Sequence, residues 1–111
     1  MVYKKKKSLR AKNIFGSSEK PRLCVYRGVK NIGAQIVDDE KGITLASAST
    51  NEKDLNKYQS NIEGAEKIGI ALAERAVKAG VTKVTFDRRD YIYHGKIKAL
   101  ADAARKGGLD F

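Results

Sequence analysis

A chain of 111 residues, 41% of them hydrophobic, is long enough for one domain with its own core, and it has no apolar run near the ~20 residues of a membrane-spanning helix. One cysteine and one histidine exclude an internal disulfide and a Cys/His zinc site. The net charge of +10 is localised: residues 1–30 hold ten of the 23 Lys and Arg against a single acid, Glu19, and so carry +9 of it, the footprint of a polyanionic partner.

The first twenty residues read as a flexible basic arm. Lys4, Lys5, Lys6 and Lys7 repel one another, Arg10 and Lys12 add to them, and Gly16-Ser17-Ser18 marks a break. No apolar segment follows the charged start, so it does not read as a secretory signal, and the chain reads as cytoplasmic. Pro21 suits the start of a strand, "RLCVYR", with Leu23 and Val25 on one face and Arg22, Cys24 and Tyr26 on the other. After a turn at "GVKN", "IGAQIVD" alternates Ile32, Ala34 and Ile36 against Asn31, Gly33 and Gln35. "DDEKG" predicts a hairpin turn and "ITLASAS" a third strand. A helix then follows from a capping box at Ser60 and Glu63, with Ile62, Ala65, Ile68, Gly69, Leu72, Ala73, Ala76 and Val77 on its apolar face, and Gly80 stops it. "TKVTFD", Thr82 to Asp87, is a fourth strand that the helical crossover allows to run parallel to an earlier one. A last helix runs from about Gly95 to Lys106, with Ile97, Leu100, Ala101 and Ala104 inward.

The expected architecture is α/β, in the order β-β-β-α-β-α: a mixed four-stranded sheet with helices packed on it, residues 21–111, behind an arm of residues 1–20. One face of the sheet meets the helices. The other carries Arg22, Tyr26, Asn31 and Gln35, side chains suited to bases and riboses.

Catalysis is weakly supported. Asp38, Asp39 and Glu40 are adjacent and followed by Lys41-Gly42, the pattern of an acidic turn, whereas a two-metal nuclease needs acids converging from separate elements. His94 has no partnering nucleophile, Cys24 sits mid-strand, and no glycine-rich phosphate loop is present. The loop "DRRDYIYHGK" suits structured RNA better. Arg88, Arg89, Lys96 and Lys98 surround a helix start, and Tyr91, Tyr93 and His94 offer planar faces beside them, unless the tyrosines close the edge of the core. Arg88 is expected to act as a fork for phosphate. Asp87 is expected to orient it or to cap backbone donors of the loop, and Asp90 to interact with Arg89 or the backbone.

"PRLCVYR", "AQIVDDEKGITLASAS" and above all "YHGKIKALADAARKGGL" closely resemble the family of the bacterial large-subunit ribosomal protein eighteen, a 5S-rRNA-binding family, from about Phe15 to Phe111. The resemblance implies a small α/β fold of ribonuclease-H-like or ribosomal type and no catalysis or cofactor. It implies a structural role in the large subunit: binding 5S rRNA and attaching it to 23S rRNA in the central protuberance, as a monomer among neighbouring ribosomal proteins. By position, the family's RNA contacts fall on the arm from Lys4 to Lys12, on Arg22, Arg27 and Lys30, and on Arg88, Tyr93, His94, Gly95, Lys96 and Lys98. Arg89 and Asp90, where the family has small residues, and Gly33, where it has larger ones, depart from the pattern. A general nucleic-acid chaperone and a ribonuclease-H-like nuclease are the competing readings, and the first strand's lack of an acid counts against the second.

Overall fold

The computed structural model describes residues 14–53, 55, 58–89 and 91–111. The expectations for Lys4, Lys5, Lys6, Lys7, Arg10, Lys12 and Asp90 lie outside these residues. Within them the elements are β1 (Arg22–Arg27), β2 (Ile32–Asp38), β3 (Ile43–Ser49), α1 (Ile62–Lys78), β4 (Thr85–Asp87) and α2 (Lys96–Lys106), in the predicted order. They form one mixed sheet, ordered β3-β2-β1-β4. The tight β1–β2 and β2–β3 connections give antiparallel pairs, and the α1 crossover brings β4 in parallel to β1.

The alternation read from the strands determines the core. Leu23, Val25, Ile32, Ala34 and Ile36 are fully buried, together with Ile68, Leu72, Ile97 and Leu100 of the two helices. The helices meet through small residues. Gly69 lies against the Leu100 carbonyl and Ala103, and Gly107 lies against Ala73. On β3, Leu45 is an extra residue between the Ile36–Ala46 and Val37–Thr44 pairs, which is why that strand looks less polarised.

Four expectations are corrected. Asn61, not Ser60, caps α1: its side-chain oxygen accepts from the Gly64 N–H at 2.7 Å. The Ser60 hydroxyl is engaged elsewhere, with the Gly28 carbonyl. Ile62 and Val77 of the α1 stripe are exposed; they lie at the ends of the 17-residue helix, beyond what the 11-residue α2 covers. The fourth strand is shorter than Thr82–Asp87, because the backbone of Thr82 and Val84 bonds to Asp110 in the C-terminal tail. Finally, Gly16–Ser18 is not a free break. The Gly16 N–H donates to Asp39, its carbonyl accepts from the Asp39 N–H, and Ser18 donates to Asp38 and Glu40. The acidic turn is therefore a clamp for the chain entering β1. Among the described residues no helix is long and apolar enough to cross a membrane, and no three His, Cys, Asp or Glu side chains are grouped to hold a metal.

Candidate nucleic-acid interface

β1, β3 and β4 run in the same direction, so Arg27 and Ser49 end at one edge of the sheet, where the β1–β2 turn also lies, and the chain leaving β4 at Asp87, in register with Cys24, heads toward it. Both helices begin at this edge. Ser60, two residues before α1, donates from its hydroxyl to the Gly28 carbonyl at 2.9 Å, and Lys96, the first residue of α2, donates from Nζ to the Ser60 carbonyl at 2.9 Å. The positive pole of α2 thus joins Arg27, Lys30, His94 and Lys96, whereas that of α1 is already met by the Asn61 cap and by Glu63 in its first turn. At the far ends the charges oppose: Arg75 and Lys78, and Arg105 and Lys106, sit in the last turns, where they match the negative poles.

The start of α2 is open to an anion. Gly95 enters the helix at φ 57°, a conformation that favours glycine, with nothing within 4 Å of the space a side chain would take. No side chain caps the first turn and no acid stands in it. Beside it, Arg27, Tyr91, Ile92 and His94 line a cleft. The Tyr91 hydroxyl accepts from the Arg27 N–H at 3.0 Å, and the Arg27 guanidinium lies over the Tyr91 ring, 5.1 Å from its centre. Ile92 is 77% exposed, and the His94 ring faces solvent next to it. A second, polar groove is lined by Lys30, Asn31, Asn51, Gln59 and Ser60. Asn31 is fixed there by the Thr50 hydroxyl, 3.1 Å from its side-chain oxygen.

Other candidates are placed differently. Tyr26 lies on the open sheet face with its ring across Gly33, so a larger residue 33 would displace the ring from this position. Gln35 shares that face, half-buried between Cys24 and Ser47 in register. Arg22 is neutralised inside the protein. Its Nε and Nη2 grip Asp39 at 2.9 and 3.1 Å, and Nη1 reaches Asp87 at 3.0 Å. The Arg22 bond is the main reason the Asp39 carboxyl sits below its ordinary pKa. Asp87 therefore orients Arg22, not Arg88, and caps the backbone N–H of Arg89, which adopts φ 59°. Arg88 is steered instead by its own loop, donating to the Tyr91 carbonyl at 2.7 Å. Tyr93 turns toward the core, edge-on to Phe86, and its hydroxyl accepts from Arg105 at 2.8 Å. Lys98 pairs with Asp102, an exposed pair one helical turn apart. Of the predicted cluster, Arg27, Lys30, Asn31, His94, Gly95 and Lys96 come together. Ser60 joins them through Gly28 and Lys96, a link that its position before a helix does not signal in the sequence.

A family profile described as "Ribosomal L18 of archaea, bacteria, mitoch. and chloroplast" matches residues 2–111. The chain is 57% identical over 109 residues to the large ribosomal subunit protein uL18 of Paracoccus denitrificans, an overlap of 96% of this chain and 92% of that one. It is 56% identical over 108 residues to the protein of the same name from Brachyspira hyodysenteriae, with 97% and 90% covered. To that of Lactobacillus johnsonii it is 54% identical over 108 residues, again with 97% and 90% covered.

Proposed function

Since the chain belongs to the ribosomal L18 family and is a structural protein of the large ribosomal subunit, not an enzyme, we propose that its specific ligand there is 5S rRNA, gripped at the loop end of the sheet. It acts in the cytoplasm, where bacterial ribosomes are. The observation that carries the RNA reading is the uncapped, acid-free first turn of α2 at Gly95 beside the side chains of Arg27, Lys30 and His94 at one edge. Such an edge attracts phosphates, while the exposed imidazole and Ile92 offer surfaces for unpaired bases or ribose edges. The arm residues Lys4, Lys5, Lys6, Lys7, Arg10 and Lys12 add sequence-independent attraction. Holding 5S rRNA at this edge, the protein helps to attach it to 23S rRNA in the central protuberance, beside other large-subunit proteins.

Filter binding of 5S rRNA and of a tRNA, across a range of salt concentrations, tests this. Binding to 5S rRNA should be at least about tenfold tighter, and the preference should persist as salt weakens both. Equal affinity for the two RNAs would make the protein a general RNA binder instead.

A further inference from the structure

The lysine at the head of α2 has the position of a phosphate ligand, but its bonds point into the protein. Lys96 Nζ lies 2.9 Å from the Ser60 carbonyl oxygen and 3.2 Å from the Ser60 hydroxyl oxygen. The same hydroxyl donates to the Gly28 carbonyl at 2.9 Å. One chain of hydrogen bonds thus ties together the three connections that make up the loop edge: the β1–β2 turn, the segment leading into α1, and the loop leading into α2. Ser60 forms part of the wall of the polar groove of Lys30, Asn31, Asn51 and Gln59; Arg27, next to Gly28, and His94, two residues before Lys96, line the other cleft. The Tyr91 hydroxyl, which accepts from the Arg27 N–H, makes a second tie between the end of β1 and the loop leading into α2.

We infer that Ser60 and Lys96 are positioning residues of the interface: they set the separation and tilt of its two clefts without themselves contacting RNA. This inference rests on the proposed RNA reading of the loop edge. A charged donor shared between a carbonyl and a hydroxyl is among the stronger hydrogen bonds, and Ser60 transmits it to Gly28 because a hydroxyl both donates and accepts. Within the β1–β2 turn the Gly28 N–H donates to the Asn31 carbonyl and Thr50 holds the Asn31 side chain, while Ser60 ties the Gly28 carbonyl to the segment leading into α1. With the strut intact the clefts are pre-formed, and the RNA need not order them on binding.

The test compares Ser60→Ala, Ser60→Thr, Lys96→Met and the Ser60→Ala/Lys96→Met double variant of the full chain. Arg27→Ala/Lys30→Ala serves as a control that removes charge from the clefts. Each is assayed for binding to 5S rRNA and to a tRNA over a salt series, beside its melting curve. Ser60→Ala should lose about tenfold in affinity for 5S rRNA but much less for tRNA, so the preference narrows, while the melting temperature changes by only a few degrees. Ser60→Thr, which keeps the hydroxyl, should recover most of the preference. Lys96→Met should resemble Ser60→Ala with an unchanged salt slope, and the double variant should be no worse than the poorer single one, because both break the same chain of bonds. A salt slope that falls by about 0.7–0.9 in Lys96→Met would make Lys96 a phosphate ligand and overturn the strut. A full 5S preference in Ser60→Ala would overturn it too, if the Arg27/Lys30 control weakens binding. If that control binds like the wild type, the loop edge is not the RNA site, and both readings fall.

Discussion

At the scale of single residues, Arg22 shows how a cation on the open face can serve the protein itself. Its fork is bidentate to Asp39, and the remaining nitrogen reaches Asp87, only 4% exposed. Two carboxylates around one guanidinium leave no surplus positive charge for a polyanion. Replacing Arg22 by Ala would strand Asp87 as an uncompensated buried charge, and should cost about 2–4 kcal/mol of stability in urea unfolding. Arg22→Lys should restore only part of it, since a point charge cannot fork. If Arg22 instead contacted phosphate, Arg22→Ala would lower the salt slope of RNA binding; we expect that slope to stay the same. Tyr26 and Gly33 make a similar pair, the ring lying where a larger residue 33 would place its side chain.

Among the elements, the contact of α1 with α2 depends on what Gly69 lacks. A Cβ there would meet the Leu100 carbonyl and lie 2.8 Å from the Ala103 Cβ, too close for either backbone to remain in place. Gly69→Ala raises helix propensity by about 1 kcal/mol, yet the helices would have to move apart. The protein should be destabilised by about 1–3 kcal/mol, seen as a lower urea midpoint with an unchanged slope. A stabilised Gly69→Ala would show that the helices can separate freely. The C-terminal tail is a second element-scale device. Its Asp110 backbone pairs with Thr82 and Val84, and Phe111 stacks on Phe86 at 5.3 Å, so the free side of the β4 segment is covered.

For the molecule as a whole, charge governs both stability and binding. At the end of the sheet away from the loop edge, the acidic turn fastens the entering chain. Burial works against ionisation of Asp38, but bonds from the Ser18 hydroxyl and from the Lys41 and Glu40 N–H groups outweigh it, and its pKa is lowered; the Asp39 value is lowered chiefly by Arg22. A carboxyl with a depressed folded pKa contributes stability that is present above its unfolded value, about 3.9, and is lost as pH falls through the folded one. Urea midpoints should therefore be flat near neutral pH and drop below about pH 4, and Asp39→Asn should flatten that drop. An equally steep acid limb in Asp39→Asn would assign it to other groups. Binding, by contrast, should follow the distribution of unpaired cations. Deleting residues 1–12 removes Lys4, Lys5, Lys6, Lys7, Arg10 and Lys12, and if all six meet phosphates, the log–log salt slope should fall by about four to five. An unchanged slope would make the arm a bystander.

Much of this was written in local patterns. Alternation of Leu23 and Val25, and of Ile32, Ala34 and Ile36, set the buried face of the sheet, and spacings of three and four set those of the helices, because period alone decides which side chains share a face. The crossover length made a parallel fourth strand possible, and the basic start of the chain pointed to a polyanion. Which charges remain available to a partner could not be read this way. Arg22 meets Asp87 across 65 positions, Ser60 meets Gly28 across 32, and Lys96 meets Ser60 across 36. A charge or hydroxyl in a sequence is only a capacity to bond. The tertiary fold, by bringing distant partners within 3 Å or withholding them, decided that Arg22 and Lys96 bond to the protein's own groups while Arg27, Lys30 and His94 face outward.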